Sequence, residues 1–352
     1  MSKLKVKCGE RMEFSVEKLN KENYTDYLTL VSHTQWGNLL LPDTYEKNLW
    51  GGVVCNDSEV VGGWVGTLRG NKPIVGLLAK SVYFDAYPVF VSYEAEIECL
   101  TSLIDTMRDW ARKEGIVMFN LTHWVRGYKL PYLLVEHNAT FLLPLQETSE
   151  EQWKLVESKQ RNIVRKGEKN GVEVTALHGE EAIAQLPTLQ LLREQTQQHA
   201  IRKNANASML LKSDNFFRKL LAHTDAMLFI GSVDGKPATV AVMIASGATA
   251  YYYSGGSDYE LNRQTGSSAY VIWKAIEYYR EMPGVKFMDM GGVPVKPEST
   301  HPAYGVYAFK RSFGGEYMEF DAGAIPIIGW KYAILKFLLS QRKLLRLLSK
   351  NF

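Results

Sequence analysis

The sequence predicts an α+β protein built from two repeated layer domains, each a mixed, mainly antiparallel sheet flanked by helices. Two observations carry this expectation. A helix–glycine–strand unit occurs twice, far apart in the chain, and each copy follows short apolar runs with the composition of strands.

In the first copy, Gly52–Leu68 holds two apolar runs around Asn56-Asp57, a hairpin signal. Helical periodicity then spans Glu94–Glu114 (EAEIECLTSLIDTMRDWARKE). Gly115 ends it, and Ile116–Leu121 (IVMFNL) has the character of a buried strand. In the second copy, Met227–Val233, Thr239–Ile244 and Ala248–Tyr253 predict a three-stranded meander with a turn at Asp234-Gly235. The helix Ala269–Glu281 follows, with Ile272, Ala275, Ile276 and Tyr279 as its apolar stripe. Gly284 and the strand Val285–Met290 complete the copy. Each glycine precedes a β-branched residue, and the fifth position after it is short and polar, Asn120 or Asp289. Between the copies lie a polar helical stretch, Glu150–Gly171, and an amphipathic one from Glu180 to about Gln198. These limits predict an N-terminal domain over 1–148, a C-terminal domain over 149–328, and a basic amphipathic helix over 329–352.

A length of 352 residues fits two domains, and a net charge of +3 advertises no global affinity for nucleic acid. The three cysteines, Cys8, Cys55 and Cys99, form no C-x-x-C pair, which favours a reducing compartment. The N-terminus lacks the apolar core of a signal peptide, and no stretch of about 20 residues is apolar and charge-free. A cytoplasmic protein is expected. The seven histidines show no metal-ligand spacing, and neither a G-x-S-x-G elbow nor a P-loop lysine is present. Only His123, just after the first repeat strand, stands where a functional histidine could.

Three places could carry chemistry. Arg263-Gln264-Thr265-Gly266-Ser267-Ser268 precedes the second repeat helix; small residues there can leave backbone N–H groups open to an anion, or Ser267 or Ser268 can simply cap the helix. Phe309-Lys310-Arg311-Ser312-Phe313-Gly314-Gly315 sets a Lys-Arg pair between aromatics, either a fixed cation beside a groove or a basic turn ahead of the strand Tyr317–Phe320. Asp289, before Gly291-Gly292, can orient an amine, act as a base, or accept N–H bonds from the Gly-Gly turn. The segment Trp330–Phe352 carries six basic residues and no acidic one. Lys336, Lys343 and Lys350 fall seven apart, with Ile334, Leu338, Leu345 and Leu348 on another face. That pattern suits an anionic membrane surface, an acidic partner, or packing on the body with a solvated basic face.

Together these features resemble the Fem (FemABX) aminoacyltransferases and related FemAB-like members of the GNAT acyltransferase superfamily, from about residue 10 to 330. The run Lys159–Val172 (KQRNIVRKGEKNGV) is similar to the family's K-x-R-x-x-I-R-K-A-x-K-x-G-V stretch, with Gly167 where alanine is usual. Arg263–Ser268 resembles a degenerate GNAT Q/R-x-x-G-x-G/A loop, and Phe309–Gly315 the family's F-K-x-x-F-G-G ending.

The resemblance implies tandem GNAT-like domains and transfer of an acyl or aminoacyl group to an amine, with no metal, protein nucleophile or tightly bound cofactor required. The co-substrate would be an aminoacyl-tRNA or an acyl-CoA. The acceptor would be an amine of a cell-envelope precursor, as in peptidoglycan interpeptide bridges, or an amino sugar in polysaccharide synthesis. Lys310 would stabilise developing charge, Phe309 would shape the site, and Asp289 would complete the catalytic set. Arg263, Gly266, Ser267 and Ser268 would bind the donor, and Arg202 and Tyr253 the acceptor. No charged helical hairpin of the kind that engages tRNA in larger Fem enzymes is present. A competing reading is a non-catalytic GNAT-like module held at the inner membrane face through residues 330–352.

Overall fold

The computed structural model describes residues 4–8, 12–33, 44–70, 73–85, 87–121, 130–202, 214–222 and 225–340. Within Met1–His137 and Phe320–Phe352 they form one unit, and within Asn138–Glu319 a second.

The first unit opens with the antiparallel pair β1 (Leu4–Cys8) and β2 (Met12–Lys18). Helix α1 (Lys21–Ser32) starts at a reciprocal cap: the Asn20 side chain accepts the Glu22 and Asn23 N–H groups, and the Asn20 N–H donates back to the Asn23 side chain. This satisfies donors that a helix start leaves open. Strands β3 (Leu49–Asn56) and β4 (Glu59–Arg69) form the hairpin expected around Asn56-Asp57. Helix α2 (Pro73–Ala79), β5 (Ser81–Phe84) and β6 (Val89–Phe90) follow. Helix α3 (Tyr93–Lys113) then leads through Gly115 to β7 (Met118–Leu121). The core of this unit includes Trp64, stacked on Phe84 at 3.7 Å, with Phe119 edge-on to both rings.

Strand β8 (Leu134–Pro144) carries the chain into the second unit. Helices α4 (Ser149–Leu155) and α5 (Ser158–Lys169) follow. They are one polar stretch in the sequence and two helices in the fold, because Val156 turns extended and is buried. Strand β9 (Glu173–Leu177) comes next, then α6 (Gly179–Ala184), α7 (Leu186–Arg202) and α8 (Asp214–Leu221). Strands β10 (Ala226–Val233), β11 (Lys236–Ser246) and β12 (Thr249–Ser257) make the expected antiparallel meander. Asp234 and Gly235 both adopt positive φ, 50° and 72°, as a tight hairpin turn requires. Helices α9 (Tyr259–Thr265) and α10 (Ser267–Glu281) lead to β13 (Phe287–Asp289) and α11 (Tyr304–Arg311). Strand β14 (Glu316–Pro326) and helix α12 (Gly329–Ser340) end the described chain.

The repeat is visible in the register. Gly115 and Gly284 both take left-handed backbone conformations, φ 72° and 84°, where glycine meets little steric cost. Each then feeds a strand that pairs in parallel with an earlier one: β7 with β5, and β13 with β12. Asn120 lies opposite Tyr83 and Asp289 opposite Tyr251, so the polar position of the repeat meets a tyrosine in both units. The sheet of the first unit runs β1-β2-β3-β4-β5-β7-β14, and that of the second β8-β13-β12-β11-β10-β9.

The unit limits differ from the expected boundaries at 148 and 328. Phe141 and Leu143 point into the second core, and Leu142 pairs with Asp289, so the second unit begins at Asn138. Gly323–Pro326 pair with Met118–Leu121, so β14 ends in the first unit. Helix α12 packs on α2 of that unit with Leu335 buried, instead of standing apart as a separate tail. Lys343, Leu345, Leu348 and Lys350 lie outside the described residues, as do His123 and residues 203–213.

Trp64 is fully buried. Trp64→Ala is expected to destabilise the first unit by about 3–5 kcal/mol, read as a lower urea midpoint of its unfolding transition.

Candidate active site

The expected residues fall in the second unit, but they do not form one cluster. Asp289 ends β13, where the strand leaves its parallel pairing with β12. It is 1% exposed. A carboxylate in that position must be hydrogen-bonded to remain ionised. Its Oδ1 accepts the Thr140 hydroxyl, from β8, and the Gly291 N–H at 2.7 Å. The Thr140 hydroxyl also lies 3.2 Å from the Gly291 carbonyl oxygen. Of the roles open to Asp289 in the sequence, the contacts match the last: it accepts an N–H bond from the Gly-Gly turn and pins that turn at Gly291.

Lys310 comes to the same turn from α11. Its ammonium donates to the Gly292 carbonyl at 3.1 Å and sits 5.5 Å from the centre of the Tyr252 ring, on β12. Gly291 has φ 75°, and a Cβ there would meet the Tyr252 carbonyl oxygen at 2.7 Å and Lys310 Nζ at 3.2 Å. Only glycine lets the turn lie this close to both. Burial pushes the Lys310 amine down to about 8, while the Asp289 charge pulls partly the other way. Burial raises the Tyr252 hydroxyl to about 12, so that ring stays neutral beside it. The neighbouring Arg311 is engaged with Glu157 at 3.1 Å. The Lys-Arg pair is therefore split: Arg311 ties α11 to the start of α5, and Lys310 faces the Gly291-Gly292 turn. The pair sits on a helix, not in the alternative basic turn.

Phe309 is half-buried and packs edge-on against the core residue Phe313, with ring centres 5.3 Å apart. Tyr253 is the extra residue at the β12 irregularity, because Val242 pairs with Ser254 and Met243 with Tyr252. Its ring stacks on Phe216 at 5.9 Å. Arg202 is exposed at the last position of α7.

The loop before α10 is closed on itself. Gly266 ends α9 and caps α10 with φ 78°, and a Cβ there would lie 2.6 Å from the Ile163 carbonyl oxygen. The Ser268 N–H donates to Asn262 Oδ1 at 2.8 Å, and the Ser267 N–H to Thr265 Oγ1 at 3.3 Å. The buried Ser267 hydroxyl lies 2.7 Å from Thr239 Oγ1. Arg263 pairs with Glu260 through Nε and Nη2, and its carbonyl accepts Lys166 Nζ at 3.0 Å. The Ser267 and Ser268 N–H groups thus already have side-chain partners, and neither serine supplies the cap. Asn262, four residues before Gly266, does so.

A separate cleft of about 430 Å3 lies between α4, α5 and α10, lined by Trp153, Arg165, Tyr270, Trp273, Lys274 and Glu277 among others. It includes none of the Asp289–Lys310 group. Among the described residues no group of three or more His, Cys, Asp or Glu side chains is arranged to hold a metal.

Thr140, Tyr252 and Asn262 escaped the sequence reading. Thr140 had a visible signal, a lone hydroxyl inside the apolar run Ala139–Leu143. Tyr252 was one of three consecutive tyrosines, with nothing to mark which one met Lys310. Asn262 became meaningful only once Gly266 joined two helices into one corner.

This geometry agrees with the family comparison. Residues 158–311 match the model of the acetyltransferase (GNAT) domain. That stretch, somewhat under half of the chain, is what resembles the GNAT domain. The GNAT match spans α5 through α11 and so includes Asp289, the α10 corner and Lys310. The crystal structure of FemX aligns over 87% of this chain and 96% of its own, with a TM-score of 0.66 at 18% identity. A conserved protein of unknown function from Bacteroides thetaiotaomicron aligns over 79% and 86%, with a TM-score of 0.50 at 12% identity. Identities this low show fold, and the fold is the expected one: α+β, with two tandem GNAT-like units. No curated protein matches the sequence significantly. The GNAT match supports the expected N-acyl- or aminoacyltransferase class.

Two outcomes are expected. Asp289→Asn keeps an acceptor for Thr140 and Gly291 but removes the charge that favours the ammonium, so the Lys310 midpoint should fall below 8 in a carbon-detected NMR titration of the lysines. Asn262→Ala should cost about 0.5–2 kcal/mol of stability in urea unfolding, as the loss of a helix cap does.

Proposed function

We propose that the GNAT unit transfers an acyl or aminoacyl group from an activated donor to an amine, with Lys310 as the group that meets developing negative charge. The observation that carries this reading is a half-buried ammonium of lowered pKa, held at the end of β13 by a glycine turn that a buried carboxylate fixes in place. Attack of the acceptor amine forms a C–N bond and places negative charge on the carbonyl oxygen. Collapse breaks the bond to the leaving sulfur or oxygen, and the proton lost from the amine ends on that leaving group. A cation partly withdrawn from water stabilises the oxyanion more than a fully solvated one would. Asp289 acts through Lys310 and the turn, and Phe309 shapes the wall beside the site.

The donor is an acyl-CoA or an aminoacyl-tRNA, which share an activated carbonyl. A diphosphate seated on α10 would have to displace Asn262 and Thr265, so binding measured with coenzyme A and with tRNA separately distinguishes the two. The acceptor is an amine of a cell-envelope precursor, at the cytoplasmic side of the membrane. Arg263, Gly266, Ser267 and Ser268 remain the proposed donor side, and Arg202 and Tyr253 the acceptor side.

Lys310→Met should lower kcat by about 100- to 1000-fold, the usual loss on removing one oxyanion donor. Unchanged transfer by the folded variant would sink the role. The charge is present below the amine's pKa and lost above it. Wild-type kcat should therefore gain a descending limb near pH 8, and the residual activity of Lys310→Met should lack it. A rise through the same range would make Lys310 a base instead.

A further inference from the structure

Helix α12 carries its apolar stripe outward. Trp330, Ile334 and Phe337 recur at i, i+4 and i+7 and are 63%, 41% and 64% exposed, with exposed Ala333 between them. Leu335, on the opposite side, is the buried anchor. Helix α2 packs alongside and adds Leu77, also exposed. A soluble helix ordinarily turns this stripe to its core, and a contiguous exposed patch marks a contact surface. At about 100° per residue, Lys331 and Lys336 fall on the two flanks of the stripe, where long basic side chains can reach headgroups while the ring residues enter the acyl boundary. The sequence from 341 to 352 adds four basic residues and no acidic one. Tyr332, whose hydroxyl feels the Glu136 charge, projects away from the stripe.

We propose that α12, with Leu77 of α2, is an interfacial docking surface for an anionic phospholipid bilayer, lying in the plane of the membrane. Among the described residues no helix is long and apolar enough to cross one, which fits a surface contact. The charge pattern selects lipid over a second copy of this chain. A symmetric pair would bring the same lysines face to face, whereas an anionic surface complements them. The basic face expected from the sequence is thus a flank, and the apolar stripe does the inserting. This surface belongs to the first unit, and its test does not depend on transfer chemistry.

The full chain is sedimented with vesicles of phosphatidylcholine alone and with vesicles containing one third phosphatidylglycerol. Binding to the anionic vesicles only is expected. It should weaken about tenfold or more in Trp330→Ser/Phe337→Ser. It should weaken roughly fivefold for each of Lys331→Gln and Lys336→Gln, with the wild-type affinity falling as salt rises. All four positions are at least partly exposed, so unchanged circular dichroism should accompany the loss. Lys310→Met should bind vesicles as the wild type does, which separates this surface from the transfer site. Equal sedimentation of wild type and Trp330→Ser/Phe337→Ser would overturn the proposal. So would a dimer in light scattering that the same double substitution dissolves.

Discussion

A buried carboxylate with defined partners is the constraint on which the second unit's site depends. Asp289 is out of solvent, so the Thr140 hydroxyl and the Gly291 N–H must satisfy it. Those bonds draw β8 to β13 and the turn that directly follows it, two stretches about 150 residues apart in sequence. Once the turn is fixed, its Gly292 carbonyl becomes a fixed acceptor for Lys310. The ammonium donates to that carbonyl, lies beside the Tyr252 ring and feels the longer-range pull of Asp289. Burial lowers its pKa to about 8, so its proton is lost more easily than from a free lysine.

The α10 corner shows the opposite economy. Backbone N–H groups at a helix start are a ready anion site only when nothing nearby accepts from them. Here Asn262 and Thr265 supply acceptors from the preceding helix, and Thr239 takes up the serine hydroxyls. These bonds brace the corner. Any anion that uses those N–H groups must compete with contacts already made.

Much of the frame was legible in the sequence because it rests on local rules. Asp234-Gly235 needed a positive-φ turn, Gly115 and Gly284 ended helices, and the 269–281 stripe had one clear face. Elements defined by distant partners were not legible. β9 shows only exposed and half-buried positions and owes its state to β10. The break in 150–171 came from burial of Val156, and the domain limits from pairings between residues 142 and 289 and between 118 and 326. At the site, Lys310 and Asp289 stood out by residue type and motif. Thr140 and Tyr252 did not, since each is ordinary until a partner from another strand arrives.

The strand that finishes each sheet also sets an order of synthesis. Most strands of the first unit are made before residue 122, yet β7 gains its second neighbour only from residues 323–326. On the ribosome, the whole second unit must be translated before that edge can be covered. Until then β7 is an open edge offering unpaired backbone groups to other chains. A nascent chain of this protein thus keeps its first unit incomplete throughout synthesis of the second, and closes it only with residues 323–326.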